Sequence, residues 1–214
     1  MAHSIADIRQ DYIQASLSEH EVNQHPLKQF SIWWDEAVKS EITEVNAMTV
    51  ATSSCDGVPS ARIILLKGFD DNGFVFFTNY NSYKGKDLEE NPRAALVFFW
   101  KELERQVRIT GVVEKLSDAA SDEYYNSRPV GSRLGAIASP QSTVIENREW
   151  LENRVKQVQQ EYRDKTPQRP GNWGGYMVKP ITIEFWQGRE SRLHDRIQYT
   201  LEENGHWRIE RLAP

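Results

Sequence analysis

One cysteine, Cys55, stands in the 214 residues. It excludes an internal disulfide and a thiolate zinc site, and it fits a reducing compartment. Lying just before Asp56-Gly57, it reads as a lone thiol in a turn. Positive charge is also short, with 26 Lys and Arg against 31 Asp and Glu and a net charge of -5. A nucleic-acid backbone needs a basic face rather than scattered cations, so nucleic acid is not an expected partner. No apolar run approaches the roughly 20 residues of a membrane-spanning helix, and the opening MAHSIADIRQDY is too polar for a secretory leader. The five histidines have no metal-ligand spacing, and Gly174-Gly175 lacks the glycine fingerprint of a dinucleotide site. These absences lead to the expectation of a soluble cytoplasmic protein without a metal. Any anion it binds must be held by a local cluster of cations.

What the chain does have is strands. From Ala47 the apolar period is two: AMTVATS, PSARIILLKGF, FVFFTN, RAALVFFW and RQVRITGVVEKL are separated by turn signals such as Asp56-Gly57 and Asp71-Asn72-Gly73. YMVKP, ITIEFWQG, IQYTLE and WRIERL add strands near the end. With no helix-strand alternation, this pattern predicts a mainly β fold with peripheral helices, an antiparallel and nearly closed barrel. Ser4 with Asp7, and Ile5, Ile8, Tyr12 and Ala15 at helical spacing, predict a short first helix. The polar stretch SLSEHEVNQH after it is expected to let that helix move. Pro26 opens a second helix with Leu27, Phe30, Trp34 and Val38 on its core stripe. SDAASDEYYNSRP, VGSRLGAIAS and ENREWLENRVKQVQQEYRDK supply further helices, the last with Leu151, Val155, Val158 and Tyr162 on one seam. A chain of this length can bury roughly 70% of its unfolded surface as one domain. Residues 1–214 are therefore expected to form a single domain, with residues 1–22 as a mobile lid segment.

Four stretches concentrate cations. In IEFWQGRESRLHDR, Arg189, Arg192 and Arg196 crowd His194, a density suited to an anionic or electron-rich ligand but equally that of a solvated hairpin end. In RIILLK, the run Ile63, Ile64, Leu65 and Leu66 calls for burial on both faces, while Arg62 and Lys67 close its ends. They are either exposed charges or phosphate ligands. TNYNSYKGKDL sets Thr78, Ser82, Lys84 and Lys86 around a helix start, where free N–H groups and positive charge suit a phosphate. In YYNSRPVGSR, Tyr124, Arg128 and Ser132 recur at four-residue spacing, interrupted by Pro129.

RIILLK, the TN...S.KG segment, LERQV, YYNSRP, QS, IEFWQG, RLHDR and the closing W.I.RLAP together resemble the pyridoxine (pyridoxamine) 5'-phosphate oxidase family. The resemblance runs in one order from about Arg9 to Pro214. It implies a homodimer of FMN-binding split β-barrels, with FMN at the subunit interface. It also implies oxidation of pyridoxamine or pyridoxine 5'-phosphate to pyridoxal 5'-phosphate by O2. It assigns Arg62, Ile63, Ile64, Leu65, Leu66 and Lys67 to the FMN strand, with Arg62 and Lys84 on the FMN phosphate and Phe77 and Thr78 beside the flavin. Gln106, Gln141, Ser142, Trp186 and Arg196 correspond to further flavin contacts. Lys67, Tyr124, Arg128 and Ser132 correspond to the grip on the substrate phosphate, Arg192 and His194 to the catalytic pair facing the substrate ring, and Arg9 and Tyr12 to the lid. Many members carry Ser-Arg-Lys where this chain has Ser82-Tyr83-Lys84, which predicts a weaker hold on the cofactor phosphate. A different class of function, a non-catalytic carrier of flavin or pyridoxal 5'-phosphate, would use the same cations without turnover.

Overall fold

The computed structural model describes residues 12–214. In chain order its elements are α1 (Pro26–Lys39), β1 (Ala47–Ser53), β2 (Pro59–Leu65), β3 (Gly68–Asp70), β4 (Gly73–Asn79), α2 (Tyr83–Glu90), β5 (Arg93–Trp100), β6 (Arg105–Lys115), α3 (Asp118–Ser127), α4 (Val130–Ala138), α5 (Arg148–Glu161), β7 (Trp173–Gln187), β8 (Asp195–Leu201) and β9 (Trp207–Arg211). The mainly β architecture with peripheral helices is the one the alternating pattern predicts. The chain divides into two compact units: residues up to Val50 with Ala95–Gly111 and Pro180–Pro214, and Ala51–Ala94 with Val112–Lys179. β1, β5, β6 and β7 each have residues in both.

In the first unit α1 begins where Pro26 presets a helical φ and has no N–H to lose. Its buried stripe is Leu27, Phe30, Trp33 and Ala37, not the Leu27, Phe30, Trp34 and Val38 stripe read from spacing, and Val38 is 49% exposed. Both stripes obey helical periodicity; Trp33 decides between them because its indole packs edge-on to Phe185 at 5.1 Å and carries the Arg105 guanidinium at 4.4 Å. Phe30 packs on Phe98 and Trp100. β7 pairs antiparallel with β8 from Thr182↔Thr200 to Gln187↔Asp195, and β8 pairs with β9.

The first predicted helix falls largely on residues outside those described, and Tyr12–Ala15 are not helical. The stretch after it is tied down by side chains. Leu17 and Val22 are buried, the Leu17 N–H donates to Asp195 at 3.1 Å, Arg211 donates to the Leu17 carbonyl and to Glu19, and the Tyr199 hydroxyl donates to the Asn23 carbonyl at 2.7 Å.

In the second unit β4 pairs antiparallel with β3 and with the start of β7, from Phe74↔Val178 to Asn79↔Trp173. Val158 of α5 is buried with Leu134 and Ala138 of α4, and Val155 and Tyr162 pack on that cluster; of the seam expected from the sequence, Leu151 alone is not part of it. Two strand expectations need correction. YMVKP and ITIEFWQG are one 15-residue strand running through Pro180. The proline is tolerated because it lies between Val178, the last residue paired with β4, and Thr182, the first paired with β8, where its missing N–H costs no bond to either strand. β2 is not buried on both faces: Ile63 is 67% exposed and only Leu66 is buried. Among the described residues β2 ends the strand order, with β1 as its one neighbour.

Candidate active site

The second unit holds a cavity of about 530 Å³. Its floor is basic because of where β4 hands over to α2. Ser82 caps the helix, its hydroxyl accepting from the Gly85 N–H. Gly85 is required here, since a Cβ would lie 2.0 Å from the Tyr80 carbonyl oxygen. This tight turn buries Lys84 to 7% exposure, with Nζ donating to Thr78 Oγ1 at 3.1 Å and Ser82 Oγ at 3.4 Å. Desolvation, and then the neighbouring Arg62, lower the Lys84 pKa below the usual lysine range. Arg62 donates to Thr52 Oγ1 and Ser60 Oγ, both at 2.7 Å, and those two hydroxyls converge on Asp87. Among the described residues neither cation has a carboxylate ion-pair partner. Two adjacent cations held by hydroxyls, one of them buried beside a helix N-terminus, fit a phosphate dianion.

A further cation reaches the cavity from the end of α3. Pro129 bars the helical region to the residue before it, so α3 ends and Arg128 is extended. Its guanidinium then lies 4.7 Å over Trp173, and its NH1 is buried with no hydrogen-bond partner among the described residues. A buried N–H of a charged group left unpaired is costly, which marks the position of a missing acceptor. Tyr124, one turn earlier, stacks on Phe77 at 3.9 Å and 18°. Lys67, Tyr124, Arg128 and Ser132 all line the cavity with Lys84, Thr78, Phe77 and Gln141, and Thr78 bonds Gln141 at 3.3 Å. Of the RIILLK strand Ile64, Leu65 and Lys67 line it, whereas Arg62, Ile63 and Leu66 do not; Ser142 also lies outside the lining, in a left-handed conformation.

The remaining candidates belong to the first unit. Trp186 of β7 and Arg196 of β8 are opposite each other in register, and Arg196 donates to Glu184 at 2.8 Å and to the Ala213 carbonyl at 2.7 Å. The Glu184 carboxylate raises the Arg196 pKa further. Gln106 is half-buried on β6. The loop from Gly188 to His194 folds back so that the His194 ring packs on Trp186 at 4.6 Å, and Tyr12 meets both rings edge-on at 5.8 and 6.0 Å. Only glycine fits at 188, where a Cβ would sit 2.7 Å from Tyr12. Ser191 and Arg192 are both left-handed, with φ of 56° and 62°. Two successive non-glycine residues in that region are strained, a feature that clusters at functional loops. Arg192 is exposed, and no ion pair holds it among the described residues. Arg9 lies outside them.

A family model described as pyridoxamine 5'-phosphate oxidase matches residues 34–162, and one described as the pyridoxine 5'-phosphate oxidase C-terminal dimerisation region matches residues 173–214. The chain belongs to the pyridoxamine 5'-phosphate oxidase family. Named relatives include a pyridoxine/pyridoxamine 5'-phosphate oxidase of Trichormus variabilis, 56% identical over the whole of both chains, and one of Ralstonia pickettii, 58% identical over 99% of each. Among solved structures, PhzG from Burkholderia lata in complex with tetrahydrophenazine-1-carboxylic acid superposes with a TM-score of 0.86 at 29% identity, over 91% of this chain and 95% of that one. A pyridoxamine 5'-phosphate oxidase-related, FMN binding protein from Nostoc punctiforme shares the fold, with a TM-score of 0.71 at 18% identity over 88% and 97% of the two chains. The fold is the antiparallel split barrel of this oxidase family.

Trp173 is not among the residues that the sequence singles out. It lines the cavity, stacks on Phe77 and Tyr124 at 5.6 and 6.2 Å and supports Arg128. The pairing Asn79↔Trp173 places it there, and local spacing carries no trace of that pairing.

Proposed function

We propose that the chain is an FMN-dependent oxidase that converts pyridoxamine and pyridoxine 5'-phosphate into pyridoxal 5'-phosphate, with O2 as electron acceptor. It releases hydrogen peroxide, and ammonia from the amine substrate. The observation that carries this reading is one cavity with two separate phosphate-type donor sets: Lys84 with Thr78, and Arg128 with Lys67, Tyr124 and Ser132. A flavin mononucleotide and a phosphorylated substrate require two such sets. The residues fit FMN, with Arg62 and Lys84 holding its phosphate and Phe77, Thr78 and Gln141 beside its ring. When bound, FMN supplies a hydride acceptor and passes the electrons on to oxygen.

The chain's own work is positioning. Arg128 and Lys67 grip a phosphate remote from the reacting carbon, so their binding energy fixes the substrate ring rather than acting on the bond that breaks. Arg192 and His194 face the substituent that reacts. By the family resemblance Trp186, Gln106, Ser142 and Arg196 correspond to further flavin contacts, and Tyr12, with Arg9 outside the described residues, to the lid segment. The protein works as a homodimer, to which the exposed β2 edge and the C-terminal dimerisation region are suited, and it acts in the cytoplasm. No helix among the described residues is long and apolar enough to cross a membrane.

The test is an anaerobic titration of the FMN-loaded protein with pyridoxamine 5'-phosphate. Bleaching of the flavin absorbance, followed by recovery and peroxide release when oxygen enters, is the expected result. Ligand binding to a flavin that stays oxidised would replace the oxidase with a carrier.

A further inference from the structure

Two side chains were expected to face the reacting substituent, and the sequence leaves open which of them moves a proton. The geometry around His194 answers for that residue. The backbone N–H of Arg189 donates to His194 Nδ1 at 3.1 Å. That peptide is not free to turn away, because the Arg189 side chain is anchored to the Ala15 carbonyl at 3.0 Å and to Asp195 at 3.7 Å. An imidazole nitrogen that accepts from a peptide N–H carries no proton, so the ring's proton is on Nε2.

The surrounding charges hold that form. Arg189 and Arg192 on its own loop are cations. Tyr12 from the N-terminal segment and Trp186 from β7 present rings. Asp195, the nearest carboxylate in sequence, is occupied: one oxygen by Arg211 at 2.7 Å, the other by the Leu17 N–H at 3.1 Å. Glu104 is taken by the Gln14 N–H. Among the described residues no carboxylate pairs with His194, the exposed Glu190 of the same loop included, and an imidazolium would lose the Arg189 bond, since protonated Nδ1 cannot accept. Burial and Arg192 lower the His194 pKa below the ordinary histidine value, in the same direction.

We infer that His194 meets the substrate as a neutral imidazole with a protonated Nε2, a hydrogen-bond donor that does not act as the base of the reaction. This rests on the oxidase reading above. With the alcohol substrate, FMN when bound would supply the acceptor for the hydride lost from C4′, the O–H electrons would form the carbonyl, and the hydroxyl proton would pass to the phenolate oxygen that the substrate carries beside C4′ rather than to His194. His194 steadies the oxygen being oxidised and stays in one protonation state throughout.

The tautomer can be read without turnover. In FMN-loaded protein labelled with 15N in its histidine rings, long-range 1H–15N correlation spectra at neutral pH should show His194, identified by its loss in His194→Ala, with an N–H type Nε2 and a bare Nδ1. A protonated Nδ1, as the other tautomer or as imidazolium, would overturn the inference. In anaerobic flavin reduction by pyridoxine 5'-phosphate, His194→Ala should lower the rate about tenfold, as for one lost donor, and leave its pH dependence unchanged. A loss of about 10² to 10⁴, the range of a missing general base, together with disappearance of an ionisation seen in the wild type, would also overturn it. Failure of the wild type to reduce flavin at all would remove the oxidase reading, while the spectrum would still report the tautomer.

Discussion

Lys84 is a buried ammonium whose neighbours are two hydroxyls and another cation, and this determines how the cofactor site should respond to pH. The charged form binds phosphate, and its folded pKa lies below that of a free lysine. FMN affinity is therefore full below that lowered pKa and is lost as pH rises through it. Flavin fluorescence titrations should show affinity falling on the alkaline side in the wild type but staying level in Lys84→Arg, whose guanidinium keeps its proton. Lys84→Met should weaken FMN roughly 10- to 100-fold at neutral pH, the value of one charged hydrogen bond. The preceding residue gives the opposite prediction. Tyr83 is 63% exposed at the first position of α2, so Tyr83→Arg, which adds a cation beside Lys84, should tighten FMN about tenfold in the same titration. Both positions were legible in the sequence because a helix start with lysines is a local pattern. The orphaned Arg128 N–H was not, because it depends on Pro129 ending α3 and on Trp173 arriving from a distant strand.

The β4–β7 ladder is the element that assembles the cavity wall, and its tolerance is narrow. Tyr80 donates to the Gly175 carbonyl at 3.3 Å, and Ser121 accepts from the Gly175 N–H at 3.2 Å. A Cβ at Gly174 would lie 2.1 Å from the Tyr80 hydroxyl and 3.0 Å from Ser121 Oγ. Gly174→Ala should therefore cost about 1–3 kcal/mol by overpacking, lowering the melting temperature by roughly 2–10 °C in calorimetry. FMN affinity should fall with it, since Trp173 and Phe77 share this ladder. Most strands and helices after Pro26 were readable from apolar period, although PSARIILLKGF is divided into β2 and β3, and α1, α2 and α5 announce themselves by Pro26, Ser82 and the Val155–Tyr162 seam. The continuity of β7 was not readable, because a proline in a strand pattern signals a break unless the positions of the neighbouring ladders are known. The α1 stripe failed for a related reason: Trp33 and Trp34 are equally apolar in sequence, and only the partner Phe185 distinguishes them.

The two compact units are not two successive lengths of chain. Each draws on three or two separate segments, and four strands have residues in both. We propose that the chain unfolds as a single domain, so FMN release, loss of near-ultraviolet circular dichroism and loss of far-ultraviolet signal should coincide in one thermal transition. Well-separated transitions would show units of independent stability. The boundary between the two family models, at residues 162 and 173, cuts the chain elsewhere than the units do. The register Phe74↔Val178 also sets an order of events during synthesis. β4 emerges from the ribosome about a hundred residues before its partner on that side, and at ~5–20 residues per second it must wait roughly 5 to 20 s. Throughout that interval the nascent polypeptide carries an aromatic, unpaired strand edge. The coding sequence that separates these two strands is where translation speed and chaperone capture would most affect the yield of active enzyme.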